Sequence, residues 1–358
     1  MLFPSSKAYN SIIYFTIMLK KIASIIVLSI GVIACKHEGH QMPLNIDYPA
    51  AYVVNGQDNN VSVVQISTNK VTETISLKDA VAPHHITLSP DKKTLAIAIT
   101  STDLSGGHGG HGAKGNFKVL ILDAVTGLIS KTIELPKMPH NGAFNHNGTE
   151  LWVGQADDVA GKVLVYNTTD WSLKNTINVG KNPSEVTFST DGTQTYVANT
   201  GSASVTVINP INKTVRSTLT VGTDPVGAWP ASNGKMYVDN ETAKTISVID
   251  VPSAAITETI TLGFKPGYVA YHNLSNELWV SDATNGKAVI YHRKDNSWVK
   301  KTDINTGADA HAIAFSDDLK IAYVTNQAAH TLSVIDVATY TKTKDIPVGR
   351  MPNGITLK

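Results

Sequence analysis

A short motif recurs seven times along this chain, and it limits the possible folds more than any other feature. Each copy begins with a proline, or once with an alanine, and continues into a small apolar strand. The copies begin at Pro83, Pro139, Pro183, Pro225, Pro266, Ala310 and Pro352. Most are spaced by roughly 42 residues, a length typical of propeller blades. The spacing predicts that the chain is built from similar repeated units.

Each unit holds four β-rich segments. After the proline segment comes a second signature, such as TYVAN at 195–199 or AYVTN at 322–326. A third segment follows, such as SVTVINP, and a fourth, such as TVRSTLTVG. Turn residues (Gly, Asn, Asp and Ser) separate them, as expected between short antiparallel strands. Four short strands in each of seven units predict an all-β, seven-bladed β-propeller.

The two ends of the repeat region predict how the ring closes. The C-terminus supplies only a first strand, at 353–357, whereas the N-terminus begins with a second strand, at 51–55. One C-terminal strand would then pair with three N-terminal strands and remove a free sheet edge. A solenoid would instead need polar caps at its ends. We therefore expect a propeller over residues 50–358.

The second signature carries a resemblance to a known family. Tyr323, Val324, Thr325 and Asn326 spell YVTN, and the chain resembles the YVTN-repeat β-propellers over about residues 50–358. Those proteins are secreted or periplasmic, and their fold is similar to the propeller domains of nitrous oxide reductase and haem nitrite reductase. The resemblance implies a fold and no single function, since such propellers include enzymes, binding modules and surface-layer proteins.

The N-terminal region has the pattern of a secretion signal. Two lysines (Lys20 and Lys21) precede an apolar run at 22–33, and Ala34 stands directly before Cys35. The apolar run is too short to span a membrane as a helix. We predict a signal peptide at 1–34, with a possible upstream extension at 1–17.

The last residues of that signal, VIAC, resemble the lipobox of bacterial lipoproteins. This resemblance implies that Cys35 is lipidated, with residues 35–49 as a flexible tether. The expected location is the bacterial cell envelope, facing the periplasm or the outer-membrane surface, with the membrane contacted through the lipid. An ordinary signal with an incidental cysteine is the alternative.

Composition excludes several classes of protein. The formal net charge is +1, which provides no broad positive field for nucleic acid. A single cysteine excludes an intramolecular disulfide, a multi-cysteine zinc site and a cysteine-held iron–sulfur cluster. The sequence contains no CxxCH haem-attachment motif and no GxSxG nucleophile motif.

Histidines gather at one repeat position. The residue after the opening proline begins the innermost strand at the mouth of the channel, and it is histidine in three units. An insertion of about 14 residues after the second strand of one unit adds the segment SGGHGGHGAKG. The predicted metal ligands on this face are His84, His85, His108, His111, His140, His311 and His330. Clustered neutral imidazoles suit zinc or copper. The tether's KHEGH (His37, Glu38 and His40) is a possible mobile relay.

Three classes of function remain open. The leading hypothesis is a non-enzymatic, lipid-anchored protein that captures a zinc or copper ion. The second is a metal-free scaffold that docks an envelope protein or a polysaccharide, with incidental histidines. The third is an enzyme, either a metal-dependent oxidoreductase or a hydrolase resembling propeller lactonases, with Glu185 as general base. It ranks last because the repeat register places no acid, base and nucleophile together.

Overall fold

The computed structural model is a seven-bladed β-propeller, which confirms the predicted fold class. It describes residues 42–104 and 115–358, and there 28 strands form seven four-stranded antiparallel sheets, with one 3-10 helix at Thr200–Ser202. We number the blades from the N-terminus, so that blade 1 contains the strand order β28-β1-β2-β3 and blade 2 contains β4 to β7. Among these described residues, no helix has the length and apolar character needed to cross a membrane.

Each blade contributes one strand to each of four concentric positions. The inner strands are β28 (Pro352–Leu357), β4 (Pro83–Leu88), β8 (Gly142–Phe144), β12 (Pro183–Phe188), β16 (Pro225–Pro230), β20 (Pro266–His272) and β24 (Ala310–Phe315). The second strands are β1 (Ala50–Asn55), β5 (Thr94–Ile99), β9 (Glu150–Gln155), β13 (Thr195–Asn199), β17 (Lys235–Asn240), β21 (Glu277–Asp282) and β25 (Ile321–Asn326).

The remaining strands face outward. The third strands are β2 (Asn60–Gln65), β6 (Lys118–Asp123), β10 (Lys162–Asn167), β14 (Ser204–Asn209), β18 (Thr245–Asp250), β22 (Lys287–Lys294) and β26 (Thr331–Asp336). The outer strands are β3 (Lys70–Ser76), β7 (Ile129–Glu134), β11 (Leu173–Asn178), β15 (Thr214–Thr220), β19 (Ala255–Thr261), β23 (Ser297–Asn305) and β27 (Thr341–Pro347).

The ring closes as the two ends of the repeat predict. The C-terminal strand β28 pairs antiparallel with β1, with Ala51 opposite Leu357 and Val53 opposite Ile355. The last amide adds a further bond, since the Lys358 N–H donates to the Ala50 carbonyl at 2.8 Å. Both ends of the propeller are therefore held in one sheet.

The hydrophobic core lies between neighbouring blades. Second and third strands are buried along most of their length because each blade is covered on both faces, while outer strands are mostly exposed. Trp152 is fully buried and packs edge-to-face on Phe188 of the next blade, with ring centres 5.4 Å apart. Trp279 does the same with Phe315 at 5.5 Å. Both tryptophans belong to the core between blades.

Three aspartates at one repeat position close turns. Asp123 Oδ1 accepts the amide N–H groups of Val125 and Thr126 at 2.9 and 2.7 Å. Asp250 and Asp336 accept the equivalent amides in their own blades, at 3.1 and 2.8 Å. These three side chains therefore have a structural role in their turns.

A bulge at the start of the inner strands positions the candidate site. In β4, Pro83 lies opposite Ile99 but Ile86 lies opposite Ile97, so the two intervening residues have only one residue opposite them. The same shift occurs in β12, β16 and β24. Neighbouring residues of a regular strand point to opposite faces, and a bulge breaks this alternation. Consecutive side chains such as His84 and His85 can therefore approach one region.

Candidate functional site

Three histidines converge at the channel end of blades 2 and 3. His84 and His85 open β4, and His140 lies just before β8. Ring centres are 4.4 Å apart for His84 and His85, 4.4 Å for His84 and His140, and 5.1 Å for His85 and His140. One nitrogen from each lies within 4.8 Å of the others. His84 and His140 are buried, and His85 is partly exposed.

A buried carboxyl group contacts two of these rings. Glu185 Oε1, from blade 4, lies 2.7 Å from His140 Nδ1 and 3.2 Å from His85 Nε2. When His140 donates its Nδ1–H to Glu185, its Nε2 is the ring nitrogen that carries the lone pair. Carboxylates that orient metal-binding histidines make the same contact. Glu185 thus has the position of an orienting group behind the histidines.

The surroundings of Glu185 disfavour its negative charge. Burial raises the pKa of this carboxyl well above its ordinary value, the charge of Asp239 adds to the increase, and a hydrogen bond from Asn141 opposes both. A divalent cation held by the histidines would act in the opposite direction and favour the carboxylate.

The three imidazoles match the donors that zinc and copper prefer. In a tetrahedral site with metal–nitrogen distances of about 2.1 Å, two ligand nitrogens lie about 3.4 Å apart. The separations within the group reach up to 4.8 Å. Binding would therefore require the rings to close by up to about 1.4 Å, which side-chain rotation can supply.

Two other histidines predicted as ligands, His311 and His330, are described by the structure and are not part of this group. His311 is buried, but its ring centre is 6.1 Å from that of His85, and it is not in the group of three found among the described residues. His330 lies in the turn after β25, where Nδ1 is 2.8 Å from the Gln327 carbonyl oxygen and 3.2 Å from the Met351 amide nitrogen. Several predicted positions fall outside the described residues: Cys35, His37, Glu38, His40, His108 and His111.

A second buried carboxyl group, that of Asp239, was not predicted from the sequence. Asp239 on β17 is fully buried, and its Oδ1 accepts the Gly227 N–H at 3.0 Å and the Trp229 indole N–H at 2.7 Å. Its Oδ2 has no hydrogen-bond partner in the described part of the chain. Burial raises the pKa of Asp239 well above its ordinary value, and the charge of Glu241 adds to this.

A departure from the repeat could have revealed Asp239. At the same place in the second signature, the other units have only uncharged residues: Val54, Ala98, Gly154, Ala198, Ser281 and Thr325. The aspartate in MYVDN is therefore the one acidic residue at this repeat position. The aspartate fixes the Trp229 ring, which packs against Tyr268 with ring centres 3.8 Å apart.

The channel holds a cavity of about 300 Å³ beside the histidines. His85, Glu185, Trp229 and Tyr268 are among its lining residues, and every inner strand contributes to its wall. A space of this size accepts a small organic molecule, and its lining combines aromatic rings with a carboxyl group and an imidazole.

The chain matches one family model and many solved structures. Residues 143–352 match the model for the Choice-of-anchor I domain. The periplasmic gluconolactonase of Pseudomonas aeruginosa is 15% identical with a TM-score of 0.67, covering 86% of this chain and 98% of that one. A putative 6-phosphogluconolactonase from Bacteroides uniformis is 14% identical with a TM-score of 0.69, covering 87% and 99%. Hydrazine synthase of Kuenenia stuttgartiensis is 19% identical with a TM-score of 0.64, covering 77% and 90%.

At these identities the likeness to solved structures extends to the fold alone. No curated protein matches the sequence. The comparisons agree with the propeller part of the YVTN resemblance, although none of those described above bears that family's name.

Asp239→Asn should stabilise the protein increasingly as pH rises. Because the folded pKa is raised, folded Asp239 holds its proton more tightly than the unfolded chain, whose ordinary pKa is 3.8. The parent's free energy of unfolding therefore falls as pH rises from 3.8 through the folded pKa. Asparagine keeps the Oδ1 acceptor and cannot titrate. Urea unfolding between about pH 4 and about pH 8 measures the difference.

Asp250→Asn is the matched control with the opposite trend. Hydrogen bonds from Lys235 and Ser253 lower the pKa of Asp250 to about 2, so its carboxylate stabilises the fold above the ordinary pKa. Relative to the parent, this variant should lose stability as pH rises from about 2 to 3.8, and the difference should stay nearly constant at higher pH. A constant difference between Asp239→Asn and the parent at every pH would contradict our description of the buried carboxyl.

Proposed function

This chain belongs to the Choice-of-anchor I domain family, and from that premise we propose that it is a cell-envelope protein whose propeller binds one zinc or copper ion. The ligands are His84, His85 and His140, and Glu185 orients the rings from behind. The convergence of three imidazoles, two of them in contact with one buried carboxyl group, carries the proposal.

The way the site is built favours metal binding over a purely structural role for the three histidines. Two blades supply them, and His84 and His85 lie together because a bulge interrupts their strand. A purely structural histidine needs only one hydrogen-bond partner at its own position. Three rings within 5.1 Å of one another, beside a carboxyl group, instead place several nitrogen lone pairs in one small volume.

Removing one ligand should weaken zinc binding strongly. We expect His140→Ala to lower zinc affinity by at least about 100-fold, and Glu185→Gln by about 10- to 100-fold, because loss of an orienting group costs less than loss of a ligand. Competition titration against a chromophoric chelator measures both affinities, and circular dichroism checks the fold.

His146→Ala is the matched control for this titration. His146 is exposed, its Nε2 lies 2.9 Å from the Thr190 carbonyl oxygen, and it belongs to no metal-binding group found in the described part of the chain. This variant should bind zinc as the parent does. Parental zinc affinity in a folded His84→Ala/His140→Ala double variant would overturn the proposed site.

The envelope location is supported by the N-terminal sequence, in which a charged and then apolar run ends at Cys35. Acyl chains on this residue would tether the propeller to a membrane. Expression with a radiolabelled fatty acid should label the parent and leave Cys35→Ser unlabelled, with the variant released into the soluble fraction. Equal membrane retention of both chains would contradict lipid anchoring at this residue.

Hydrolysis of a small lactone is a second candidate function. The channel cavity supports it, because Glu185 and His85 line a space large enough for a six-membered ring. Glu185 would accept a proton from water as the water oxygen attacks the lactone carbonyl. The ring C–O bond then breaks, and Glu185 returns that proton to the leaving ring oxygen.

Glucono-δ-lactone tests this second candidate. The purified chain should hydrolyse it faster than the spontaneous reaction, and Glu185→Gln should lose at least about 100-fold of that rate. The His146→Ala control should retain it. Hydrolysis no faster than the spontaneous rate, in a chain that binds zinc, would remove this candidate and leave metal binding intact.

A further inference from the structure

One hairpin departs from the repeat. In blade 6, β22 has eight residues and β23 has nine, whereas every other third strand has six and every other outer strand six or seven. The turn between them contains Asp295 and Asn296, with φ of 50° and 63°. Two successive positive φ angles fit a type I′ turn, which continues a twisted hairpin without a break. The extension brings Arg293 opposite Trp298 at the tip.

This tip and blade 5 enclose a groove of about 370 Å³. Three aromatic rings line it. Tyr237 and Tyr271 are stacked, with ring centres 5.9 Å apart and planes at 10°. Trp298 stands perpendicular to Tyr237, at 5.9 Å and 85°. Tyr237 is buried, whereas Tyr271 and Trp298 remain partly exposed and present their surfaces to the groove.

Polar groups complete the groove without leaving a net charge. Arg293 Nη1 binds Glu258 Oε2 of blade 5 at 2.5 Å, and the guanidinium lies 5.3 Å from the centre of the Trp298 ring. Lys235 is paired with Asp250 at 2.8 Å. Each cation at the groove therefore has its own carboxylate. An uncharged ligand with many hydrogen-bonding groups suits these surroundings best.

We propose that this groove binds a neutral saccharide of one or two pyranose rings. A pyranose ring has a face of C–H bonds, which packs on the negative face of an aromatic ring, and a rim of hydroxyl groups. The planar Arg293–Glu258 pair offers N–H donors and carboxylate acceptors side by side to such hydroxyls. The volume is within the range of small-molecule sites.

The groove is separate from the channel site. Its lining residues come from all four strand positions of blades 5 and 6, and none of them lines the channel cavity or belongs to the histidine group. Saccharide binding should therefore persist when zinc is removed with a chelator, so this inference and the metal-binding proposal can fail independently.

Cellobiose and diacetylchitobiose are the probes for this site. Saturation-transfer NMR on the full chain should detect at least one of them with a Kd of about 1 mM, as expected for a small open groove. Trp298→Ala should weaken binding at least about 10-fold, and Trp298→Phe should retain most of it. Arg293→Lys keeps the charge but lacks the fork of donors, and should weaken binding as well.

Trp171→Ala is the matched control. Trp171 is also a partly exposed tryptophan at a turn between third and outer strands, in blade 3. It should leave saccharide binding unchanged. Failure of the parent to bind either disaccharide would overturn the proposal, as would parental affinity in both Trp298→Ala and Arg293→Lys.

Discussion

The pairing of β28 with β1 is the interaction on which the rest of the structure depends. It completes blade 1 with an inner strand, and that strand packs against β4, where the histidines begin. Asn353 Nδ2 donates to the Pro83 carbonyl at 3.2 Å, and a Cβ atom added at Gly354 would lie only 3.1 Å from the His85 Cα. The closing strand therefore fixes the backbone of the candidate site as well as the ring.

The repeat made the fold predictable because its period, its four segments and its complementary ends all have one architectural solution. Residues at one repeat position also share one environment, since Trp152 and Trp279 occupy the same place in their repeats and are both buried between blades. The candidate site was less predictable. In the repeat, the three histidines that follow an opening residue hold equivalent positions. In the ring, His84 and His140 are on adjacent blades, whereas blade 1 separates His311 from His84. The β-bulge that brings His84 and His85 together has no sequence motif from which it could be predicted.

Two departures from the repeat coincide with two cavities of this propeller. Asp239 replaces an uncharged residue and holds Trp229 in the channel, and the lengthened hairpin of blade 6 carries Trp298 over a side groove. The other units form the same four-stranded blade without either feature. A residue that differs from its equivalents in the other units is therefore a candidate functional residue, even when the solved relatives share only the fold.

X-ray absorption spectroscopy at the zinc edge tests the central claim most directly. For the zinc-loaded chain, the proposal predicts a first shell with three imidazole nitrogens at about 2.0 to 2.1 Å and one further light atom. Multiple scattering from the imidazole rings would identify those nitrogens as histidine, and Glu185→Gln should keep the same ligands at lower affinity. A first shell made only of oxygen atoms would contradict the histidine site.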